Sequence, residues 1–289
     1  MKIAVLGATG FVGRALLPRL TVEHELVAVS RSAREVEPGI RWVEGDASSA
    51  DDVARAVDGA EVVYYLVHSL GSRDFEQQDR VAAENVATAS EHAGVRQIVY
   101  LGGLGDNDES ASPHLRSRRE TGERLAGGSV PVTMLRAAMI VGKGSAAFET
   151  IVALVDRLPA MITPRWVSTP TQPIAIDDVS RYLAGVCGNT AALGESFDAG
   201  GSEVMTYRQM IERIAKLRGR RLRLLEVPVL TPRLSSLWLH LVTPVNASVA
   251  RPLIEGLKNP TIAHEERLQA LVPFELTSFD DAARQAFAR

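Results

Sequence analysis

A glycine triad, Gly7, Gly10 and Gly13, stands directly between the apolar run Ile3-Ala4-Val5-Leu6 and a helix-like segment that opens at Phe11. Few folds use three glycines at this spacing in a strand-to-helix turn. Gly7 permits a tight turn, Gly10 lets the backbone approach a pyrophosphate, and Gly13 lets helix and strand pack closely. The N–H groups and dipole of the helix start then attract phosphates. Thr9, Phe11 and Val12 complete the loop Gly7–Gly13. At the head of a strand–helix–strand unit the pattern is specific, whereas alone it would be weak.

The chain beyond the loop supports that placement. Apolar, β-rich runs recur at Lys2–Leu6, Leu26–Ser30, Arg41–Glu44, Val62–Val67, Gln97–Leu101 and Val132–Ile140. They alternate little between polar and apolar residues, as strands buried on both faces do. Helical patterns separate them at Phe11–Thr21, Ala50–Val57, Phe75–Ala93 and His114–Ala126. This alternation predicts right-handed crossovers and a Rossmann-type α/β fold, a doubly wound parallel sheet. Residues 1–194 are expected to form the dinucleotide-binding domain. Leu158–Ile174, broken by prolines, reads as an extended loop over the site. Asp177-Asp178 opens a helix through Cys187, with acids near its positive end. Residues 195–289 are expected to form a small, mainly helical lobe on the substrate side, with helices at Thr206–Arg218 and Ala247–Lys258 and a strand at Arg223–Val227.

Composition narrows the function classes. With 46% hydrophobic and 23% charged residues, the chain matches globular proteins and not disordered ones. A net charge of −3 offers no bulk attraction to nucleic acid or an anionic membrane. Val229–Val245 is apolar but broken by Pro232, Arg233, His240 and Pro244, so no membrane span is expected. Cys187 stands alone, which excludes an internal disulfide and fits a cytoplasmic location. No zinc spacing, Walker-A lysine or Gly-x-Ser-x-Gly elbow is present, so metal and acyl-transfer chemistry lack support.

The end of the second strand selects the cofactor. A carboxylate there binds the ribose 2′-hydroxyl of NAD, whereas a 2′-phosphate calls for cations. The chain reads Val29-Ser30-Arg31-Ser32, so Arg31 and Ser30 favour NADP(H) over NAD(H). Asp46, followed by Ala47, ends the third strand and can meet the adenine amino group or cap the next helix. Leu66-Val67-His68 ends the fourth strand and runs beside the cofactor; His68 can touch the nicotinamide or simply line the crevice.

Together these residues resemble the atypical short-chain dehydrogenase/reductases, in their NmrA-like and nucleoside-diphosphate-sugar-epimerase-like branch. The resemblance extends to Tyr64-Tyr65-Leu66-Val67-His68-Ser69-Leu70, His114-Leu115-Arg116-Ser117-Arg118, Leu135–Gly142, the Gly144–Glu149 run, Pro164-Arg165-Trp166 and Gly256-Leu257-Lys258. It implies an NAD(P)-binding oxidoreductase. Active members of the wider family use a Tyr-x-x-x-Lys pair and a Ser or Thr after the fifth strand. Here the corresponding residues are His114 and Arg118, and the hydroxyl position falls in Tyr100-Leu101-Gly102-Gly103. Tyrosine-based chemistry therefore does not carry over. His114 is the candidate proton donor or acceptor, since imidazole titrates near neutrality. Arg118 is the candidate ribose or phosphate contact, and Gly102 joins the cofactor-binding set.

Other residues carry blander expectations. Arg136, in an apolar strand, should find a structural ion pair. Asn85 is a plain polar position in the long helix or, as the resemblance implies, serves a backbone kink or water relay; Arg165 and Trp166 close over a substrate or pack, and the basic run Lys216–Arg223 complements a helix end. The expected activity is an NADP(H)-dependent reductase acting on a small carbonyl, enone or quinone-like substrate, as a monomer or homodimer. The alternatives are a non-catalytic NADP(H)-binding redox sensor or partner-binding protein, and an epimerase or lyase that retains its cofactor.

Overall fold

The computed structural model describes residues 1–68, 74–105, 112–163, 165–226 and 259–288. The first part runs β1 (Lys2–Leu6), α1 (Phe11–Leu20), β2 (Glu25–Ser30), β3 (Ile40–Glu44), α2 (Ala50–Val57), β4 (Val62–Tyr65), α3 (Phe75–His92), β5 (Gln97–Gly103), α4 (Pro113–Ala126) and β6 (Val132–Ala137). There follow β7 (Ile140–Val141), α5 (Ala146–Arg157), β8 (Ala160–Thr163), β9 (Pro170–Thr171), β10 (Ile174–Ala175) and α6 (Ile176–Gly185). The last part holds β11 (Ser196–Ala199), β12 (Met205–Thr206), α7 (Tyr207–Leu217), β13 (Arg223–Glu226), α8 (Arg267–Leu271) and α9 (Phe279–Ala288).

Seven strands make one parallel sheet in the order β11-β6-β5-β4-β1-β2-β3. The chain reverses direction across the sheet between β1 and β4, and open α/β sheets bind ligands at such a switch. In β1, Ile3 and Val5 enter the core under α1 and α6, whereas Ala4 and Leu6 enter the core under α2, α3 and α4. Both faces are covered, which explains why the strands read as continuous apolar runs.

Several expected boundaries shift for identifiable reasons. The run Val132–Ile140 is two strands: the chain leaves the sheet after Ala137, and Ile140-Val141 pairs with Ile174-Ala175 instead. Leu158–Ile174 is not one extended loop. Ala160–Thr163 pairs in parallel with Arg223–Glu226, a partner too distant in sequence for local reading to supply. Ala146–Arg157, which lacked a clear pattern, is a helix capped by the Ser145 hydroxyl. Ser196–Ala199, just past the expected domain boundary, is the edge strand of the central sheet beside β6. The Ala247–Lys258 and Val229–Val245 readings lie outside the described residues.

The second part of the chain has its own core, with Phe148, Ile151, Met210, Ile214 and Phe279 among its members. Polar links add to the packing of both parts. Asp177 pairs with Arg19 of α1 and with Arg181 at 3.3 Å, and buried Asp178 accepts from the Thr277 amide at 2.8 Å and hydroxyl at 3.0 Å. The acids of α6 thus hold neighbouring segments as well as complementing their helix dipole. Arg218, in the basic run, pairs with Asp156 of α5 at 2.7 Å.

Gln97 is a polar link inside the central sheet. Its buried amide donates to Thr133 Oγ1 at 2.8 Å and to the Val186 carbonyl at 2.9 Å, and accepts from the Gly188 amide at 2.7 Å. One side chain therefore joins β5, β6 and the end of α6. Gln97→Leu should lower the unfolding free energy in urea by about 3 kcal/mol, since buried backbone groups lose their partners. A loss below about 1 kcal/mol would show that water replaces those bonds.

Candidate functional site

The C-terminal ends of the central strands surround a cleft of about 1020 Å³. Its floor is the β1–α1 loop. Gly7 has φ of 85°, and a Cβ there would lie 2.7 Å from the carbonyl carbon and oxygen of Leu66. A Cβ on Gly13 would lie 2.4 Å from the Gly7 carbonyl oxygen. Side chains at either position are excluded by backbone, which cannot give way as a flexible side chain can. The close approach brings the first turn of α1 to the cleft. Gly10 caps that helix without any side-chain bond, whereas α2, α4, α5 and α7 are capped by Ser49, Ser112, Ser145 and Thr206. The N-terminal amides of α1 and its dipole are therefore available to an anion.

At one end of the cleft, Ser30 is buried, and its hydroxyl accepts from the Arg34 Nε at 3.3 Å and the Ser32 amide at 3.4 Å. Arg34 in turn lies over the Trp42 ring, 5.8 Å from its centroid. Arg31 is exposed at the strand end. Asp46 holds the next turn: its carboxylate accepts from the Ser48 amide at 2.8 Å and hydroxyl at 2.7 Å. Those bonds, with the Arg31 charge, hold the Asp46 carboxyl below the usual range. Asp46 is not the cap of α2; Ser49 has that role, because its oxygen sits three residues before the Asp52 amide. Asn85 of α3 donates to the Ala47 carbonyl at 3.1 Å, which fixes the loop against the helix.

The other end is built from β4, β5 and α4. His68 Nδ1 lies 3.2 Å from Asp79 Oδ2, and the Ser117 hydroxyl donates to the same oxygen at 3.1 Å. Asp79 is buried, and as a carboxylate it can only accept, so the geometry assigns the ring proton to Nδ1. Burial, and secondly the Arg118 charge, push the His68 pKa down to about 4. His68 is therefore neutral at physiological pH and is no acid there. Arg118 donates to the Leu101 carbonyl at 2.8 Å, and Tyr100 donates to the Arg118 carbonyl at 2.9 Å. The arginine is thus braced against the end of β5, where Gly102 and Gly103 bear no hydroxyl.

All residues of the expected cofactor set line this one cleft: Gly7, Thr9, Gly10, Phe11, Val12 and Gly13; Ser30 and Arg31; Asp46 and Ala47; Leu66, Val67 and His68; and Gly102 with Arg118. His114 starts α4, but its side chain lies outside the described residues, as do those of Arg165 and Trp166. Arg136 pairs with Asp198 at 2.6 Å, joining β6 to β11, in the structural role expected of it. Sequence reading missed Met139, Ile140, Gly144–Ala147, Tyr207 and Thr261, which also line the cleft. The glycine at Gly144, with φ of 94°, was a usable signal. Tyr207 and Thr261 had none, because only tertiary folding brings them there.

Among the described residues no cluster of His, Cys, Asp and Glu is arranged to hold a metal ion, and no helix is long and apolar enough to cross a membrane. The His68 environment gives a pH dependence. Its folded pKa of about 4 lies below the ordinary 6.5, so the unfolded chain binds the extra proton between those values. Stability is fully present above pH 6.5 and falls as the pH drops toward 4. In urea unfolding at stepped pH, His68→Gln should flatten this part of the profile relative to the parent. Parallel profiles would refute the assignment.

Residues 7–139 match the NAD(P)H-binding family model. A mitochondrial NADH dehydrogenase [ubiquinone] 1 alpha subcomplex subunit 9 from Arabidopsis thaliana is 24% identical over 72% of this chain, and the match spans 56% of that protein. A (4-alkanoyl-5-oxo-2,5-dihydrofuran-3-yl)methyl phosphate reductase from Streptomyces griseus is 24% identical over 78% of this chain and 77% of its own length. Among solved structures, a nucleoside-diphosphate-sugar epimerase from Staphylococcus aureus superposes with a TM-score of 0.80 at 15% identity, covering 98% of this chain and all of that one (100%). An NADPH-dependent quinone oxidoreductase from Escherichia coli, complexed with NADPH, gives a TM-score of 0.78 at 20% identity, covering 99% of this chain and 100% of that one. Residues 7–139 thus resemble NAD(P)H-binding domains, and the chain has the Rossmann-type fold of the epimerase and quinone oxidoreductase structures.

Proposed function

We propose that this protein is an NADP(H)-dependent reductase acting on a small organic carbonyl, enone or quinone-like substrate. The observation that carries the reading is the end of β2, where Arg31 is exposed beside the cleft and no carboxylate takes the place that NAD-binding requires. Arg31 receives the 2′-phosphate, and the exposed, charged fork suits that group. Asp46 and Ala47 border the adenine, the α1 amides hold the pyrophosphate, and Arg118 contacts the nicotinamide ribose.

Bound NADPH supplies a hydride. Arg118 places its positive charge near the end of β5, where an oxyanion develops as the hydride arrives. A conjugated acceptor spreads that charge, which relaxes the need for a proton donor as strong as the family's lost tyrosine. His114, water or the substrate then delivers the proton. The reductase and quinone oxidoreductase names borne by similar proteins support this chemistry. A second reading, a non-catalytic NADP(H)-binding sensor, is favoured by one observation: Gly102 and Gly103 leave the usual hydroxyl position empty of side chain.

Equilibrium titration should show NADPH binding more tightly than NADH. Arg31→Ala should weaken NADPH by roughly ten- to a hundredfold, the scale of one charged hydrogen-bonding contact, and leave NADH nearly unchanged. Equal effects on both would exclude the NADP assignment. Nicotinamide absorbance across a panel of carbonyls, enones and quinones then separates the two readings. Turnover supports the reductase, and tight binding without turnover supports the sensor.

A further inference from the structure

Three hydroxyls meet beside the cleft. Thr171 and Thr261 are buried with their hydroxyl oxygens 2.7 Å apart. Tyr207, also buried, hydrogen-bonds to both threonines. The three residues come from separate segments: Thr171 ends β9, Tyr207 begins α7, and Thr261 bridges in parallel to Thr171. Tyr207 and Thr261 line the cleft.

Their location bears on the missing hydroxyl. Just past β5, a Cβ on Gly105 would lie 3.2 Å from the Pro260 carbonyl oxygen and 3.5 Å from the Thr261 methyl carbon. The 259–261 segment therefore packs directly on the end of the strand that carries Gly102 and Gly103. We propose that Tyr207 and Thr261, backed by the buried Thr171, form a substrate-positioning site that binds the oxygen of the reducible group. The chemical class of that ligand, a carbonyl compound, rests on the reductase reading above.

The chemistry of such a cluster suits both members of a carbonyl–alcohol pair. The three hydroxyls have three protons, and their mutual bonds use them, so the cluster accepts from an alcohol with its spare lone pairs and donates to a carbonyl by turning one proton out of an internal bond. Burial pushes the Tyr207 phenol up, which keeps its proton in place as a hydrogen-bond donor. A donor that keeps its proton orients an oxygen without having to protonate it. The role assigned is therefore positioning, and proton delivery is left to the groups named above.

The test uses the full chain and reads binding apart from turnover. Tetramethyl-1,4-benzoquinone is titrated by calorimetry with and without saturating NADP+, which carries no hydride to transfer. Tyr207→Phe and Thr261→Val should each weaken quinone binding about tenfold, the scale of one lost hydrogen bond. Thr261→Ser should restore it, and NADP+ affinity should stay within about twofold in every variant, given that none of these residues borders the pyrophosphate loop. A purely structural cluster would lower the melting temperature of the variants and leave quinone affinity intact, which overturns the proposal. Failure of the parent to bind the quinone overturns it equally. Where Tyr207→Phe fails to fold, the Thr261→Val and Thr261→Ser pair decides alone. Hydroxyl-dependent binding without NADPH oxidation would sustain this site and overturn only the reductase reading.

Discussion

The contact between the backbones of Gly7 and Leu66 sets the rest of the site. It brings the first loop against the end of β4 so tightly that no side chain fits between them. Gly13 repeats the requirement one turn into α1, against the Gly7 carbonyl. Because both neighbours are main chain, just past the ends of β1 and β4, the geometry cannot relax by rotating a side chain. The open start of α1 is thereby held over the switch between β1 and β4, where amides, dipole and cleft coincide.

Around that fixed point the two ends of the cleft are built differently. The Arg31 end is exposed and charged, with short polar links around Ser30 and Asp46. The His68 end is buried and its charges are compensated: Asp79 is shared between an imidazole and a hydroxyl, and Arg118 is tethered to a strand carbonyl. Electrostatic interactions are weak at the first end because water screens them, and strong at the second because it does not. Loss of water around His68 is itself the main reason that its pKa moves so far from its ordinary value, whereas that of exposed Asp46 follows its local hydrogen bonds.

Much of this architecture was legible in the sequence because it is written locally. The glycine triad, the strand–helix alternation and the absence of an acid after Val29 are each properties of a short window. The residues they pick out gather around one cleft. What escaped was long-range. The pairing of β8 with β13 joins segments some sixty residues apart, and nothing in Ala160–Thr163 alone announces a partner. Asp79 looked like any acid in an amphipathic helix, although it lies buried beneath His68. Tyr207 and Thr261 reach the cleft from segments with no ligand-binding motif. The run Val132–Ile140 misled for the opposite reason: its apolar character is continuous, but its hydrogen-bonding partners change after Ala137.

Helix α3 carries Asp79, which grips His68 at one end of the cleft, and Asn85, which grips the Ala47 carbonyl near the other. Six residues of helix separate them, roughly 9 Å at the usual rise per residue. The helix is therefore a ruler laid along the cleft, and its graduations are set by residue count. Substitutions on its outer face leave that measurement alone. A single inserted or deleted residue between Asp79 and Asn85 would swing one grip by about 100° relative to the other, so that only one end of the cleft could be held in register. For this stretch of chain, length is a stricter constraint than composition.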